Sequence, residues 1–422
     1  MSVLLQQREE LELKSARDDD AEALDGKLAE QQAHSFLELK GAAATDKSGK
    51  EQKREAVVMD LGLEKILADL EKEEWYHGCL PFEDIAGLLV DGGDFLIRGV
   101  EAQENQNIAA LVTVKWGWNV EDYPIRFHQS TETPVYGQVV LRKAIPKQQW
   151  ELTNDKITKI KVIGSGAFGE VWLGNMQESP KDPPVNVAIK VTKVNEKTKT
   201  MIDEMYREAR LMRQYQHKNI VRFYGVVQQK SAGSAMIVME YIDGGALDEH
   251  LRKNTDVPPR TRVDYGIDVA VGLVYLHSKG CMHRDIACRN CLIDVTKGIV
   301  KISDFGMSKQ GDFYKIPGTE KLPIKWQAPE VISTRVYTAK CDVYSYGILL
   351  WEIFNNGETP YKGIDNKTVR EKISNPNFRP PTDATLPIVI YRVMKTCWRA
   401  NPVKRPSMAQ IARYLVNAPP EL

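Results

Sequence analysis

Two short stretches constrain this chain more than any other feature: His283-Arg284-Asp285-Ile286-Ala287-Cys288-Arg289-Asn290 and, soon after, Asp304-Phe305-Gly306. Three further stretches precede them: Gly164-Ser165-Gly166-Ala167-Phe168-Gly169-Glu170-Val171, then Val187-Ala188-Ile189-Lys190, then a helical segment containing Glu208-Ala209-Arg210-Leu211-Met212. The first of these lies between β-branched-rich runs, so it reads as a hairpin whose backbone can approach a bound group, because three positions lack a Cβ. Taken alone it would be an ordinary glycine-rich turn. With 27% charged residues in the chain, Lys190 and Glu208 would each pass for a solvated charge, and Asp304 for a turn carboxylate. Their common order changes that reading. A buried lysine needs a counter-charge, and Glu208 is its natural partner.

In this order the five motifs resemble those of protein kinases, and residues 155–420 are similar to a protein tyrosine kinase catalytic domain. The resemblance implies an α+β fold with two lobes, a β-rich small lobe and a helical large lobe, using ATP with Mg2+ or Mn2+. It implies nucleotide contacts from Gly164, Ser165, Gly166, Gly169, Val171, Ala188, Lys190, Glu208 and Leu292, with Met239 at the gate and hinge backbone from Glu240 and Tyr241. Asp285 would accept or orient the proton of the attacking hydroxyl, while Asn290 and Asp304 hold the metal. Tyrosine specificity rests on separate residues. A phenol carries its hydroxyl farther from the backbone than serine does; Ala287 leaves that space open, Arg289 supplies a positive charge near the acceptor, and Pro323 to Glu330 form the substrate floor. Glu330 and Arg405 match a buried ion pair of the large lobe, and Asp342 matches a carboxylate that holds the catalytic-loop backbone. The apolar run Val343 to Phe354 has the density of a fully buried helix and is too short to span a membrane.

A second unit precedes the kinase-like one. Trp75-Tyr76-His77-Gly78, Gly93-Asp94-Phe95-Leu96-Ile97-Arg98 and the run Ile108 to Trp116 resemble a Src-homology 2 (SH2) domain over 75–145, an antiparallel sheet flanked by two helices. Alternation along the strand puts Arg98 on the face opposite Ile97, and in that family the arginine forks onto a phosphotyrosine phosphate. The sequence departs from the pattern where donors are expected: Gly99-Val100 replaces a hydroxyl-bearing pair, Phe82 stands at a frequent basic position, and Arg126 stands where a histidine is common. Arg98 with Arg126 could still bind a dianion, and a purely intramolecular packing role is the alternative. Residues 146–154 are a linker in which Trp150 resembles a connector pressing on the small lobe, or merely covers its edge. The segment from Asp304 to Glu330 carries one tyrosine, Tyr314, which is the expected autophosphorylation site with Arg284 as its charge partner.

Residues 1–74 differ in kind. One aromatic, Phe36, and 19 acidic against 11 basic residues leave too little apolar content for a core, so disorder or loose helix is expected. From Val57 to Leu70, apolar positions 59, 63, 66, 67 and 70 fit one helix face, expected to end against the binding unit. Equal totals of 57 acidic and 57 basic residues argue against nucleic acid as a partner. No run has the length of a membrane helix, the amino terminus lacks a signal-peptide core, and Ser2 is unsuited to myristoylation. Six cysteines, three of them around the catalytic loop, suit reduced thiols. Cys288 and Cys291 have zinc-like spacing but no second pair.

Together the motifs look most like the Fes/Fer group of non-receptor tyrosine kinases, without that group's large amino-terminal membrane-binding module and, with the chain ending at Leu422, without an inhibitory tail tyrosine. The resemblance implies a cytoplasmic enzyme, with peripheral recruitment to the plasma membrane open to it, acting on tyrosine-bearing protein substrates and meeting phosphotyrosine proteins through the SH2 unit. A scaffold or adaptor acting through its binding surfaces is the alternative.

Overall fold

The computed structural model describes residues 69–99, 108–126, 141–166, 169–179, 181–192, 198–228, 235–383 and 385–419. They belong to two compact units, one ending at Leu152 and the other beginning at Thr153.

In the first unit, strands β1 (Asp94–Gly99), β2 (Ile108–Trp116), β3 (Asn119–Arg126) and β4 (Lys143–Ala144) form a sheet in the order β3-β2-β1-β4. β4 runs parallel to β1 and the other pairs are antiparallel. Phe95, Leu96 and Ile97 are all buried, so β1 is covered on both faces, as a central strand must be. The segment before it is stitched to the same strand: Ile97 N donates to Trp75 O at 3.1 Å and His77 N to Ile97 O at 2.8 Å. The buried His77 ring is fixed at both nitrogens, 2.8 Å from Ile145 O and 2.9 Å from Glu151 Oε1. The first expected flanking helix is a single turn, α1 (Phe82–Ile85), continued by a 3-10 turn over Ala86–Leu88, and residues 127–140 lie outside the described set. Most of the helix expected over 57–70 also lies outside it. Its last apolar position, Leu70, packs with Trp75, Tyr76, Ile97 and Ala110.

The second unit has a β-rich lobe and a helical lobe. Strands β5 (Ile157–Gly166), β6 (Gly169–Met176), β7 (Val185–Thr192), β8 (Phe223–Gln228) and β9 (Ala235–Glu240) run in the order β8-β9-β7-β6-β5, with helix α2 (Thr198–Met212) packed on β7 and β9. In the other lobe, α3 (Leu247–Lys253) precedes α4 (Pro259–Ser278), and a short hairpin, β10 (Cys291–Asp294) with β11 (Ile299–Ile302), follows the catalytic loop. α5 (Pro329–Thr334) and α6 (Ala339–Phe354) come next. α6 begins at a capping box of Thr338 with Cys341, and nearly every residue in it is buried, which is why its sequence is apolar all round. α7 (Ile388–Cys397) packs on α6, and α8 (Met408–Val416) on α4. Arg405, with a fully buried side chain, forks onto Glu330 at 2.5 and 2.7 Å.

Candidate active site

β5 and β6 end on the facing pair Gly166 and Gly169, and Gly169 has φ +152°, a conformation that L side chains rarely adopt. A Cβ at Gly164 would meet only the Val171 Cβ, at 3.7 Å, and one at Gly166 would meet nothing within 4 Å among the described residues. Packing among the described residues therefore does not require Gly164 or Gly166 to be glycine, and their backbone is open to an approaching group.

Lys190 lies on β7, in register with Val171 on β6 and Ile237 on β9, so its ammonium emerges at the inner face of the lobe. There it meets Glu208 of α2, Nζ standing 2.9 Å from Oε1 and 2.8 Å from Oε2. Asp304 Oδ1 is 3.6 Å from the same nitrogen. Burial disfavours the ammonium, but the two carboxylates outweigh it and raise the Lys190 pKa. Burial likewise opposes ionisation of Asp304, while Lys190 and the Gly306 N–H hold its carboxyl below the usual range. Asp304 and Arg284 are non-glycine residues with φ +58° and +73°, backbone strain of the kind that collects at functional sites.

Two carboxylates of α6 hold the catalytic loop from below. Asp342 accepts the backbone N–H groups of His283 and Arg284, each at 2.9 Å, and the Tyr337 hydroxyl at 2.8 Å. Glu352 accepts Cys288 N at 3.0 Å. Within the loop, Arg289 pairs with the Asp285 carboxylate and stacks its guanidinium 4.3 Å from the Trp326 ring centroid. Asn290 Nδ2 donates to Asp285 O at 2.7 Å, and Asn290 O accepts from Ser303. With its nitrogen engaged, Asn290 has its carboxamide oxygen left as a ligand. Phe305 is fully buried, its ring 5.2 Å from His283 and 5.7 Å from Tyr215, which anchors Asp304 next to Lys190.

Met239 on β9 pairs with Ala188 on β7, and Leu292 bridges to Ala246; Val171, Met239, Glu240, Tyr241 and Leu292 are half-buried, as residues lining a cleft should be. The Glu240 carboxylate is engaged by Lys301 Nζ at 2.8 Å to both oxygens and by Arg222 N at 3.1 Å, and Glu240 N donates to Arg222 O at 2.8 Å. Among the described residues no three His, Cys, Asp or Glu side chains cluster as a metal site. Hard oxygens on Asn290 and Asp304 instead fit Mg2+ of the sort that takes one or two protein ligands and completes its shell with phosphate and water.

Tyr314 lies on the short strand β12 (Phe313–Lys315), which pairs with β13 (Val336–Thr338). Its ring stacks on Arg284, and Glu320, which the sequence reading did not single out, accepts from both. In the first unit, Arg98 meets Asp122, also not singled out beforehand, and donates through Nε to Thr113 Oγ1 at 3.2 Å. Arg126 faces Ile108 at the far end of β3, four positions along from Asp122, and its side chain lies outside the described set. Only its backbone is thus placed, and that is not opposite Arg98.

A family model described as protein tyrosine and serine/threonine kinase matches residues 157–415. Fer-related kinase 1 of Caenorhabditis elegans is 36% identical over 377 residues, covering 83% of this chain and 95% of that protein. Tyrosine-protein kinase Fer of Homo sapiens is 33% identical over 370 residues, 82% of this chain and 44% of that protein. The tyrosine-protein kinase transforming protein Fps of avian sarcoma virus (strain PRCII) is 32% identical over 381 residues, 83% of this chain and 69% of that protein. The chain therefore spans nearly all of the nematode relative and less than half of the human one.

Proposed function

This chain belongs to the Fes/Fer-like group of non-receptor protein tyrosine kinases, and we propose that it transfers the γ-phosphate of ATP to tyrosine hydroxyls of protein substrates at the site between Lys190 and Asp285. The observation that carries this reading is the ion pair of Lys190 with Glu208 while Asp304 stands 3.6 Å away, the charge arrangement a triphosphate with its cation needs. Bound Mg-ATP supplies the phosphoryl group and the charge that neutralises it. Lys190 orients the phosphates; the Asn290 and Asp304 oxygens hold the cation; Asp285 takes the proton of the attacking hydroxyl and is itself positioned by Arg289. Ala287, which is buried, leaves room for a phenol, and the segment from Pro323 to Glu330 supports the substrate. The remaining assignments belong to the same proposal: Tyr314 is autophosphorylated, the unit over 75–145 is an SH2 domain binding phosphotyrosine through Arg98 with Arg126, and the protein works in the cytoplasm with peripheral recruitment to the plasma membrane. Among the described residues no helix is long and apolar enough to cross a membrane.

Purified protein incubated with Mg-ATP and a tyrosine-containing peptide polymer tests this. Phosphotyrosine formed by the wild type and lost in Asp285→Asn supports it, whereas a wild type that binds ATP but never forms phosphotyrosine shifts the reading to a scaffold.

A further inference from the structure

We propose that Asp122 is a built-in competitor for the anion that Arg98 receives, so that the binding unit is closed by its own carboxylate and takes a phosphotyrosine only by displacing it. This rests on the phosphotyrosine reading of Arg98 given above.

Three strands contribute to the lock. Arg98 comes from β1, Thr113 from β2 and Asp122 from β3, and Thr113 lies directly opposite both Leu96 and Asp122 in the sheet. Arg98, two residues beyond Leu96 on the same face, reaches back along the sheet to both partners. Its Nη2 pairs with Asp122 Oδ2, its Nε donates to Thr113 Oγ1 at 3.2 Å, and that hydroxyl donates to Asp122 Oδ1 at 2.6 Å. Thr113 is wholly buried, which fixes the hydroxyl and through it the carboxylate. The ring is therefore closed: the guanidinium has a resident anion, and that anion is tied down on its second oxygen as well.

An incoming phosphate faces two obstacles here. It must take the guanidinium edge that Asp122 holds, and if Asp122 stays nearby, two anions share one cation, an arrangement that like-charge repulsion opposes. Among the described residues, neither Gly99 nor Phe82 adds a donor to offset this. Gly99, next to Arg98 on β1, faces the other side of the sheet and carries no side-chain donor. The Gly99 N–H is already donated to Gly78 O at 2.7 Å. Phe82, partly exposed on α1, brings no donor. Affinity for a phosphomonoester is thus governed by whether Asp122 keeps its charge and position.

Binding of a fluorescent phosphotyrosine peptide and its unphosphorylated twin to the full chain tests this, with wild type, Asp122→Asn, Arg98→Ala and the double variant. Asparagine is isosteric and keeps one acceptor oxygen, enough for one of the two donors Thr113 and Arg98, while removing the charge, and thermal unfolding of each variant reports whether the fold is kept. Asp122→Asn is expected to bind the phosphopeptide about tenfold more tightly than wild type, a gain that vanishes when Arg98 is also removed. Equal affinities for wild type and Asp122→Asn, both lost in Arg98→Ala, would overturn the competitor while leaving Arg98 as the phosphate site. If no protein discriminates the phosphorylated peptide from its twin, the phosphotyrosine reading itself fails.

Discussion

The guanidinium carbon of Arg284, one residue before Asp285 in the chain, lies 4.4 Å from the centroid of the Tyr314 ring. Glu320 completes the group, accepting from Arg284 Nη2 at 2.7 Å and from the Tyr314 hydroxyl at 3.1 Å. Arg284 Nε, also buried, has no hydrogen-bond partner among the described residues. A phosphate on Tyr314 would bring nearly two negative charges against Glu320 and is expected to take over Arg284 and release that carboxylate. Tyr314→Phe is therefore expected to remove the loop phosphopeptide from a tryptic digest and to lower the initial rate after preincubation with ATP by about tenfold. Equal rates for the variant and wild type would show that Glu320 alone is enough to hold the loop.

Lys190, Glu208 and Asp304 act as one electrostatic unit, so each single removal should be severe. Lys190→Met, Glu208→Gln and Asp304→Asn are each expected to lower kcat by about 10²–10³ on a peptide substrate, with an unchanged circular dichroism spectrum. The effects of Lys190→Met and Glu208→Gln should be far from additive in the double variant, because the two groups contact each other directly.

The pairing of Arg405 with Glu330 is a matter of stability rather than chemistry. Glu330→Gln leaves the fully buried Arg405 guanidinium uncompensated and is expected to lower unfolding free energy by about 3–5 kcal/mol, while Arg405→Ala, which strands only the half-buried Glu330, is expected to cost less, read from denaturant or thermal unfolding. Restoring a smaller loss by replacing both residues with apolar ones would be consistent with the same account.

Glu352 titrates near neutrality. Complete burial pushes its carboxyl from 4.5 up to about 7, against the Cys288 N–H and Arg289, which favour the charged form. Unfolded chains lose this proton near 4.5 and folded ones keep it to about 7, so between those values the folded state binds more protons and stability falls as pH rises. Glu352→Gln retains an acceptor for Cys288 N but cannot ionise. Between pH 5 and 7, about the window set by the two pKa values, its unfolding midpoint should fall less with pH than that of the wild type, which a parallel series of thermal melts would reveal.

Local chemistry made the family and the two-lobed fold legible: glycines at a tight approach, a lysine on a strand, and carboxylates with an amide on a short loop each announce themselves within a few residues. The buried helix was equally plain over Val343 to Phe354 from its apolar density, though the structure starts it at Ala339, and the Arg405 to Glu330 pair followed from the resemblance. What the chain alone did not reveal were three of the carboxylates that hold these groups. Asp122 stands 24 residues from Arg98, Glu320 stands 36 from Arg284, and Glu352 stands 64 from Cys288. An acidic side chain in a strand, a loop or an apolar helix carries no mark of the partner it will meet, because that choice depends on strand register and on which helix face lies under the loop. Sequence determined which groups can do chemistry, whereas only the tertiary structure decided which charge each one faces, since ion pairing acts over a few ångströms of space and not along the chain.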